Sequence, residues 1–234
     1  MNDKSDAKFW AVVPAAGSGQ RMQSKQPKQY LNVNGRTIIE SSLRVLLNCE
    51  QITRVVVCTA PRDRIWPSLE VSGHAKIINV NGGSTRARSV LNGLQSQSGK
   101  SAESEWVLIH DAARPCLSST LLNKLINELQ DDPVGGLLAT PVQDTLKLLN
   151  RDQRTVQETL DRSLVWQAQT PQMFRFGLLL AALENGLNTD QQITDEASAM
   201  ELAGHHPRIV ESDWRNLKVT QEEDLQLVEF LTAD

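Results

Sequence analysis

The feature of this sequence that most restricts its fold is the alternation of short apolar runs with amphipathic stretches. The apolar runs are Trp10–Pro14, Arg54–Ala60, Lys76–Val80, Trp106–His110 and Val134–Pro141. Several of them are almost wholly apolar, which is typical of parallel strands covered on both faces. Strands that alternate with helices predict right-handed crossovers. We therefore expect an α/β, Rossmann-like, doubly wound fold with a mostly parallel sheet and helices on both faces.

The stretches between these runs show the apolar spacing of helices. The apolar stripes are Ile39, Leu43 and Leu46; Val90, Leu91 and Leu94; and Leu121, Leu122, Leu125, Ile126 and Leu129. A possible capping box at 37–40 precedes the first stripe, and Ser118–Thr120 can start the third helix. A second possible capping box, Thr220–Glu223, predicts a last helix that continues through Leu231.

The segment 143–166 departs from this pattern, because it has no clear helical stripe and no long apolar run. Thr145–Leu148 and Val156–Leu160 flank the polar Asn150–Thr155, which predicts a two-stranded β-arm. A lone hairpin is marginal in water, so we expect it to pack on another surface, such as a second subunit. The alternative is a loose surface loop. Because no linker or internal repeat divides the chain, we expect a single domain of residues 1–234.

The bulk composition limits the partners and the compartment. The 234 residues carry a net charge of -4 with a pI near 5.6, which argues against general nucleic-acid binding. Cys49, Cys58 and Cys116 form no CxxC motif and predict buried thiols of a reducing compartment. The N-terminus has no apolar signal core, and no apolar run approaches the ~20 residues of a membrane helix. These features predict a cytoplasmic protein without a membrane partner.

The first apolar run ends in a loop of small residues that is followed by cations. The glycines and cations of this segment are Gly17, Gly19, Arg21, Lys25 and Lys28. No Asp or Glu occurs at positions 7–39 of a chain that is acidic overall. Loop N–H groups can point at phosphate oxygens where no side chain blocks the approach, and cations add charge. The segment therefore predicts a phosphate-binding loop, and the alternative is a basic surface turn.

Two better-known phosphate-binding motifs fit this loop poorly. A Walker A loop needs Gly, four residues and then Gly-Lys-Ser/Thr, which does not occur here. A dinucleotide fingerprint needs a third glycine where this chain has Met22. The missing glycine disfavours a Rossmann oxidoreductase, although Glu40 lies at about the distance of a ribose-binding acid.

A second candidate site follows the apolar run that ends at Ile109. Asp111 is expected at the carboxyl edge of the sheet, where ligands of such folds bind. One carboxylate there can hold Mg²⁺, which usually takes one or two protein carboxylates together with phosphates. The alternative is an Asp that only caps the turn before Pro115. His110 is expected to order this turn and to take no part in chemistry.

Nine short motifs in this order resemble the 2-C-methyl-D-erythritol 4-phosphate cytidylyltransferase family along nearly the whole chain. They are PAAGSGQRM (14–22), PKQY (27–30), GGSTRARSV (82–90), HDAARP (110–115), PVQDT (141–145), DR (161–162), TPQ (170–172), ITDEAS (193–198) and NLKVT (216–220). The chain resembles this family more than the ribitol-phosphate cytidylyltransferases, whose first loop would read AGG. It departs from the family at Ser84 and Thr85, where an acid is often present, so cytosine selectivity is less secure than phosphate binding.

The resemblance implies a Mg²⁺-dependent transfer of CMP from CTP to 2-C-methyl-D-erythritol 4-phosphate, a small phosphorylated polyol, with release of pyrophosphate. The attacking group is the phosphate of the acceptor, whose second pKa of ~6 leaves it mostly dianionic near neutrality. No general base is then needed, and catalysis rests on cations and loop amides that stabilise developing charge. We assign this task to Arg21 and Lys28.

The resemblance also implies the roles of individual residues. The implied nucleotide-binding residues are Ala15, Ala16, Gly17, Gly19, Lys28, Gly83, Ser84, Ser89, Asp111 and Ala112, and Asp111 is also the metal ligand. The implied substrate-binding residues are Arg114, Thr145, Arg162, Thr170, Thr194 and Lys218. Arg162 and Lys218 would position the acceptor as catalytic residues beside Arg21 and Lys28. Other interpretations remain: Thr194 is a good helix N-cap with Gly204 closing that helix, and Lys218 could face outward from a short strand.

In the family, the 143–166 arm embraces a neighbouring subunit. The resemblance thus implies a homodimer in which Thr145 and Arg162 act in trans. Two other functions stay open at this point. One is a nucleotidyltransferase for another sugar or polyol phosphate, such as ribitol 5-phosphate, and the other is a nucleotide-binding protein without catalytic activity.

Overall fold

The structure, a computed structural model, describes residues 8–17, 26–189 and 192–233. Within these ranges the strands are β1 (Phe9–Ala15), β2 (Asn32–Val33), β3 (Arg36–Thr37), β4 (Ile52–Thr59), β5 (Ile77–Asn81), β6 (Trp106–Ile109), β7 (Gly135–Pro141), β8 (Lys147–Leu149), β9 (Val156–Thr159), β10 (Trp166–Arg175) and β11 (Arg208–Glu211). The α-helices are α1 (Ile38–Asn48), α2 (Arg86–Gln95), α3 (Ser119–Leu129), α4 (Phe176–Leu187), α5 (Glu196–Leu202) and α6 (Asp224–Leu231). Seven strands of the described ranges form one sheet in the order β11-β7-β10-β6-β1-β4-β5.

The predicted doubly wound, mostly parallel sheet is confirmed. β1 pairs in parallel with both β4 and β6, and β10 alone among these seven strands runs antiparallel to its neighbours. Side chains of β1 alternate between two buried clusters, with Phe9, Ala11 and Val13 on one face and Trp10 and Val12 on the other. The first cluster is covered by α1 and α3, and the second by α2, α4 and α5. This two-sided burial explains why the strand sequences are almost wholly apolar.

The five predicted strands all lie in the central sheet, and the first predicted capping box is present. The Thr37 hydroxyl accepts the N–H of Glu40, and the Glu40 carboxylate accepts the N–H of Thr37. β10 and β11 were not predicted. In β10 the apolar pattern is interrupted by Gln169 and Gln172, which are buried because their amides bond neighbouring segments.

Two predicted helix starts are wrong. The last helix begins at Asp224 and not after Thr220, because the Asp224 carboxylate accepts the N–H groups of Thr220 and Gln221 and holds them in a turn. The N-cap of α5 is Asp195 and not Thr194, since Asp195 and Ser198 form a reciprocal capping box. Gly204 follows the end of α5 with φ +84, as predicted for a helix-terminating glycine.

The predicted hairpin in the arm is present, with β8 and β9 antiparallel in a small separate sheet. It is followed by a 3-10 turn, Arg162–Leu164. The three cysteines are free thiols, of which Cys58 is buried and the other two are half-buried. Within residues 8–17, 26–189 and 192–233, every helix is too short or too polar to cross a membrane.

Candidate active site

The strand order places a cavity where β1 meets β6. In the sheet, β4 and then β5 lie on one side of β1, and β6 lies on its other side. The carboxyl ends of β1 and β6 therefore flank the switch point, which is the place where the order of the strands reverses direction. Ligands of open α/β sheets bind at such a point. A cavity of about 420 Å³ opens there. It is lined by Pro14, Ala15, Ala16, Gly17, Lys28, Gln29, Gly83, Ser84, Thr85, Arg86, Ser89, Asp111, Ala112, Ala113, Lys218 and Thr220.

The first loop forms one wall of this cavity through Ala15, Ala16 and Gly17. Gly82 lies directly behind it, because a Cβ on Gly82 would come within 2.5 Å of the Ala16 Cβ. This close approach keeps the loop backbone against residues 82–84, which we call the second glycine turn. The predicted residues Gly19 and Arg21 lie outside the described residues.

Lys28 reaches the cavity from the 3-10 turn Lys28–Tyr30. Its Nζ donates to the Val219 carbonyl over 2.7 Å, which links the first loop segment to the 216–220 segment far along the chain. The predicted catalytic lysines, Lys28 and Lys218, therefore share one cavity with the predicted nucleotide-binding loop.

Asp111 lies at the centre of the charged groups. Its Oδ1 accepts from Arg86 Nε at 2.8 Å, and its Oδ2 lies 2.7 Å from Lys218 Nζ and 3.9 Å from Arg114 Nε. Burial by itself would raise the pKa of Asp111, but the charges of Arg86, Lys218 and Arg114 outweigh burial and hold that pKa well below its usual range. Asp111 is therefore ionised near neutral pH, and Lys218 faces this carboxylate from a loop and not from a strand.

Arg86 and Glu196 complete the charge cluster, and sequence reasoning missed both as site residues. Two nitrogens of Arg86 bond the two oxygens of Glu196 at 2.7 and 3.0 Å, so that Nε is left to face Asp111. Burial would lower the pKa of Arg86, but Glu196 and Asp111 raise it above its ordinary value. Burial raises the pKa of Glu196, and Arg86 offsets part of this effect. One signal was available, since an arginine at the start of α2 opposes the helix dipole and implies a nearby acid.

A neutral, hydrogen-bonded layer supports Asp111 from below. The Thr170 hydroxyl accepts the Asp111 N–H over 3.0 Å and lies 3.1 Å from His110 Nδ1, while His110 Nε2 lies 3.2 Å from the Arg114 carbonyl. Burial lowers the pKa of His110 to about 4, so the ring is uncharged at neutral pH. This arrangement confirms that His110 orders the turn. The Thr170 hydroxyl, which was predicted to bind substrate, instead accepts a hydrogen bond from the backbone N–H of Asp111.

Arg114, predicted to meet the substrate phosphate, is also buried beneath the cavity. One of its terminal nitrogens donates to the Asn216 carbonyl over 2.6 Å, and its Nε has no hydrogen-bond partner. Asn216 in turn bonds Gln169 and the Thr170 carbonyl. Arg114 thus ties the Asp111 turn to the 216–220 segment, which carries Lys218.

The second glycine turn forms a wall next to the first loop. The Ser89 hydroxyl accepts the Gly83 N–H over 3.0 Å and donates to the Thr85 carbonyl over 2.9 Å. Ser89 is buried and therefore shapes the turn, whereas Ser84 is exposed at the cavity surface. Thr85 caps α2 by accepting the Arg88 N–H. This wall offers the backbone of Gly83 and Ser84 to a ligand.

Three predicted substrate-binding residues do not line the cavity of their own chain. Thr145 and Arg162 are exposed in the arm, where Arg162 donates to the Gln143 carbonyl. Thr194 is exposed before α5, and its N–H donates to the Ser198 hydroxyl. The remaining predicted residues of the described ranges line the cavity or, as Arg114 and Thr170 do, support its floor.

Metal binding by this cavity would depend on a single carboxylate. The described residues contain no group of three or more His, Cys, Asp or Glu side chains able to hold a metal ion. A carboxylate offers about four lone-pair positions, and the close contacts with Arg86 and Lys218 use two of those on Asp111. This donor set suits a cation that takes one protein carboxylate and completes its shell with phosphates and water.

The fold and the cavity together define the class of this protein: it is an α/β protein with a cavity lined by cationic side chains at the carboxyl edge of its sheet. A family model described as IspD, 2-C-methyl-D-erythritol 4-phosphate cytidylyltransferase, matches residues 9–234. The chain therefore belongs to the 2-C-methyl-D-erythritol 4-phosphate cytidylyltransferase family, as the nine motifs indicated.

Individual relatives agree with this family. The chain is 53% identical over 219 residues to a 2-C-methyl-D-erythritol 4-phosphate cytidylyltransferase of Pseudomonas fluorescens, with 93% of each chain covered. It is 51% identical over 218 residues to that of Pseudomonas aeruginosa, again with 93% of each covered. The crystal structure of the Francisella tularensis protein of the same name matches with a TM-score of 0.83 at 33% identity, covering 96% of this chain and 100% of that one.

Proposed function

We propose that this protein transfers the cytidylyl group of CTP to 2-C-methyl-D-erythritol 4-phosphate and releases pyrophosphate, a step of the non-mevalonate isoprenoid pathway. The observation that carries the proposal is the convergence of Lys28, Lys218 and Arg86 with the Ala15–Gly17 backbone on one cavity at the switch point. Family membership supplies the identity of the two substrates.

In this mechanism the acceptor phosphate attacks the α-phosphate of CTP, and the bond to the pyrophosphate leaving group breaks. The acceptor phosphate is already anionic near neutral pH, so the site must stabilise negative charge and need not remove a proton. Lys28 and the first loop neutralise the triphosphate, and Lys218 orients the incoming phosphate. His110 is unsuited to act as a base, because its ring is buried and bonded on both nitrogens.

We further propose that Asp111 binds Mg²⁺ together with the nucleotide phosphates. The fit rests on the remaining acceptor positions of its carboxylate and on its position between the two glycine turns. When bound, the cation would supply additional positive charge to the triphosphate. Arg86 and Lys218 would then share Asp111 with the cation.

We also propose that the active form is a homodimer in which the 143–166 arm contributes Thr145 and Arg162 to the cavity of the partner subunit. Support comes from the arm itself, since Leu148, Leu149, Val156 and Leu164 are exposed on it. Exposed apolar residues concentrated on a small hairpin favour burial against another surface. A single domain over residues 1–234 and a cytoplasmic location remain predictions.

The test is a substrate screen that follows pyrophosphate. The purified protein is incubated with Mg²⁺, one of CTP, ATP, UTP or GTP, and either 2-C-methyl-D-erythritol 4-phosphate or ribitol 5-phosphate. We expect release with CTP and the methylerythritol phosphate, and little with the other pairs. Release with ribitol 5-phosphate alone would identify a different nucleotidyltransferase, and CTP binding without any release would identify a non-catalytic nucleotide-binding protein. A matched reaction with EDTA tests the need for the cation.

A further inference from the structure

We propose that Gln29 is a positioning residue that holds the first loop in the conformation that binds phosphate, an inference that rests on the proposed function. Gln29 is 5% exposed and belongs to the same 3-10 turn as Lys28. Its Nε2 donates to the Ala15 carbonyl over 2.8 Å and to the Gly17 carbonyl over 3.1 Å. A side-chain amide has two N–H donors, so both are used on this one loop.

These two hydrogen bonds determine which backbone groups of the loop are available to an anion. Carbonyl oxygens carry partial negative charge and would repel phosphate, and Gln29 binds two of them. In a trans peptide the N–H points opposite to the C=O. With the Ala15 carbonyl directed at Gln29, the N–H of Ala16 is directed to the opposite side. Gln29 therefore orients the loop before a ligand arrives, which avoids reorganisation during the reaction.

The turn that carries Gln29 is itself anchored, and the loop is confined on its other side. The next residue, Tyr30, is buried and donates its hydroxyl to Asp63 over 2.7 Å. Asp63 in turn accepts the backbone N–H groups of Ile65 and Trp66. On the far side of the loop, Gly82 limits the position of Ala16. The loop is thus fixed between Gln29 and Gly82, while Lys28 on the same turn supplies charge.

Two variants of Gln29 test this role. Gln29→Met keeps the approximate size but removes both donors without adding charge, and Gln29→Glu also places a carboxylate against two carbonyl oxygens. For both we expect the dissociation constant of CTP to rise about 10- to 100-fold, because small displacements of phosphate-binding groups are costly. The dissociation constant of cytidine, which lacks phosphate, should change by less than about threefold. Calorimetry measures CTP, and an NMR titration measures the weaker cytidine.

A matched control separates positioning from general destabilisation. Gln97 is 2% exposed, and its amide bonds Arg54 and Ser96, outside the residues that line the cavity. Gln97→Met also removes a buried amide, so it should lower the melting temperature without changing the ratio of CTP to cytidine affinity. A phosphate-dependent loss confined to the Gln29 variants supports the proposal.

Several results would overturn it, and they differ from failure of the proposed function. If wild-type protein binds CTP and Gln29→Met binds it equally well, Gln29 has no positioning role while the function stands. Loss in Gln29→Glu but not in Gln29→Met would mean that charge alone is responsible. Equal losses for CTP and cytidine would indicate only a structural role. If the wild-type protein does not bind CTP, the proposed function fails, and the inference fails with it.

Discussion

The cavity and the arm differ in which side chains they bury: charged side chains are buried at the cavity, and apolar side chains are exposed on the arm. At the cavity, the carboxyl groups of Asp111 and of the neighbouring Glu196 are buried, and both contact the guanidinium group of Arg86. In the arm, Leu149 is 43% exposed and Leu164 is 81% exposed. A cavity built from paired buried charges is preorganised by its own chain, whereas an arm with exposed apolar side chains depends on another surface. The comparison teaches that the described cavity is built by its own chain, and it supports our proposal that the arm acts on a partner subunit.

Removing Lys28 from the cavity should produce the largest effect. In Lys28→Ala we expect kcat to fall about 10²- to 10³-fold, because one preorganised charge contact is lost. Steady-state pyrophosphate release measures this. Lys124→Ala is the matched control, since the Lys124 Nζ also donates to a backbone carbonyl, that of Glu211, but on the surface of α3. Wild-type turnover in Lys28→Ala would remove the basis for the proposed mechanism.

One Glu→Gln substitution in each region compares how much a glutamate there contributes to the free energy of unfolding. Glu196→Gln should lower the free energy of unfolding by about 3 kcal/mol, because it leaves part of a buried ion network uncompensated. Glu158→Gln, on the exposed strand β9, should change it by less than about 0.5 kcal/mol. Urea unfolding at neutral pH measures both variants. Equal small changes would show that the Arg86–Glu196 pair does not stabilise the cavity.

The sequence predicted the parts of this molecule that depend on local pattern. The five predicted strands and the capping box at Thr37 follow directly from hydrophobic spacing and side-chain chemistry. β10 could not be predicted, because its polar residues Gln169 and Gln172 serve distant partners. The start of the last helix was placed too early for a different, local reason, since Asp224 binds the preceding N–H groups in place of a capping box.

The site was predictable where residues follow a strand and less so where their role depends on a partner. Asp111 and the Ala15–Gly17 loop were expected at the carboxyl edge and line the cavity. Arg86 and Glu196 lie 110 residues apart in the chain, so their pairing is a property of the fold. The position of Arg162 relative to a partner's cavity is a property of an assembly, which the sequence suggests only through its family.

The buried floor of the cavity should make stability depend on pH. His110 has a pKa near 4 in the folded state and an ordinary value of 6.5 when unfolded, so the unfolded state binds a proton first as pH falls. The contribution of uncharged His110 to the free energy of unfolding is therefore present above about pH 6.5, and this contribution is lost as pH falls toward 4. Between about pH 7 and about pH 5 we expect His110 to account for a loss of about 2 kcal/mol.

The difference between variants isolates this contribution from other titrating groups. Unfolding free energies measured across that range should show a flatter slope for His110→Gln than for wild type. His206→Gln, which alters an exposed ring, should keep the wild-type slope. An NMR titration in which the His110 ring becomes protonated near pH 6.5 would contradict the burial that the structure shows.

Mixing variants tests whether the arm completes a partner's site. Arg162→Ala and Lys28→Ala should each have low activity alone. If Arg162 acts in trans, a mixed dimer contains one cavity with both wild-type side chains. Random pairing makes about half of the dimers mixed, so activity should return to about a quarter of the wild-type value. Pyrophosphate release is measured after subunit exchange, and native mass spectrometry verifies the mixed dimers.

The control for this experiment pairs two cavity residues of the same chain. Lys28 and Lys218 line one cavity, so mixing Lys28→Ala with Lys218→Ala leaves every cavity defective and should restore nothing. Recovery in the first mixture but not in the second would place the arm and the cavity of one active site on different chains. Verified mixed dimers that stay inactive in both mixtures would instead mean that Arg162 does not complete the cavity of a partner subunit.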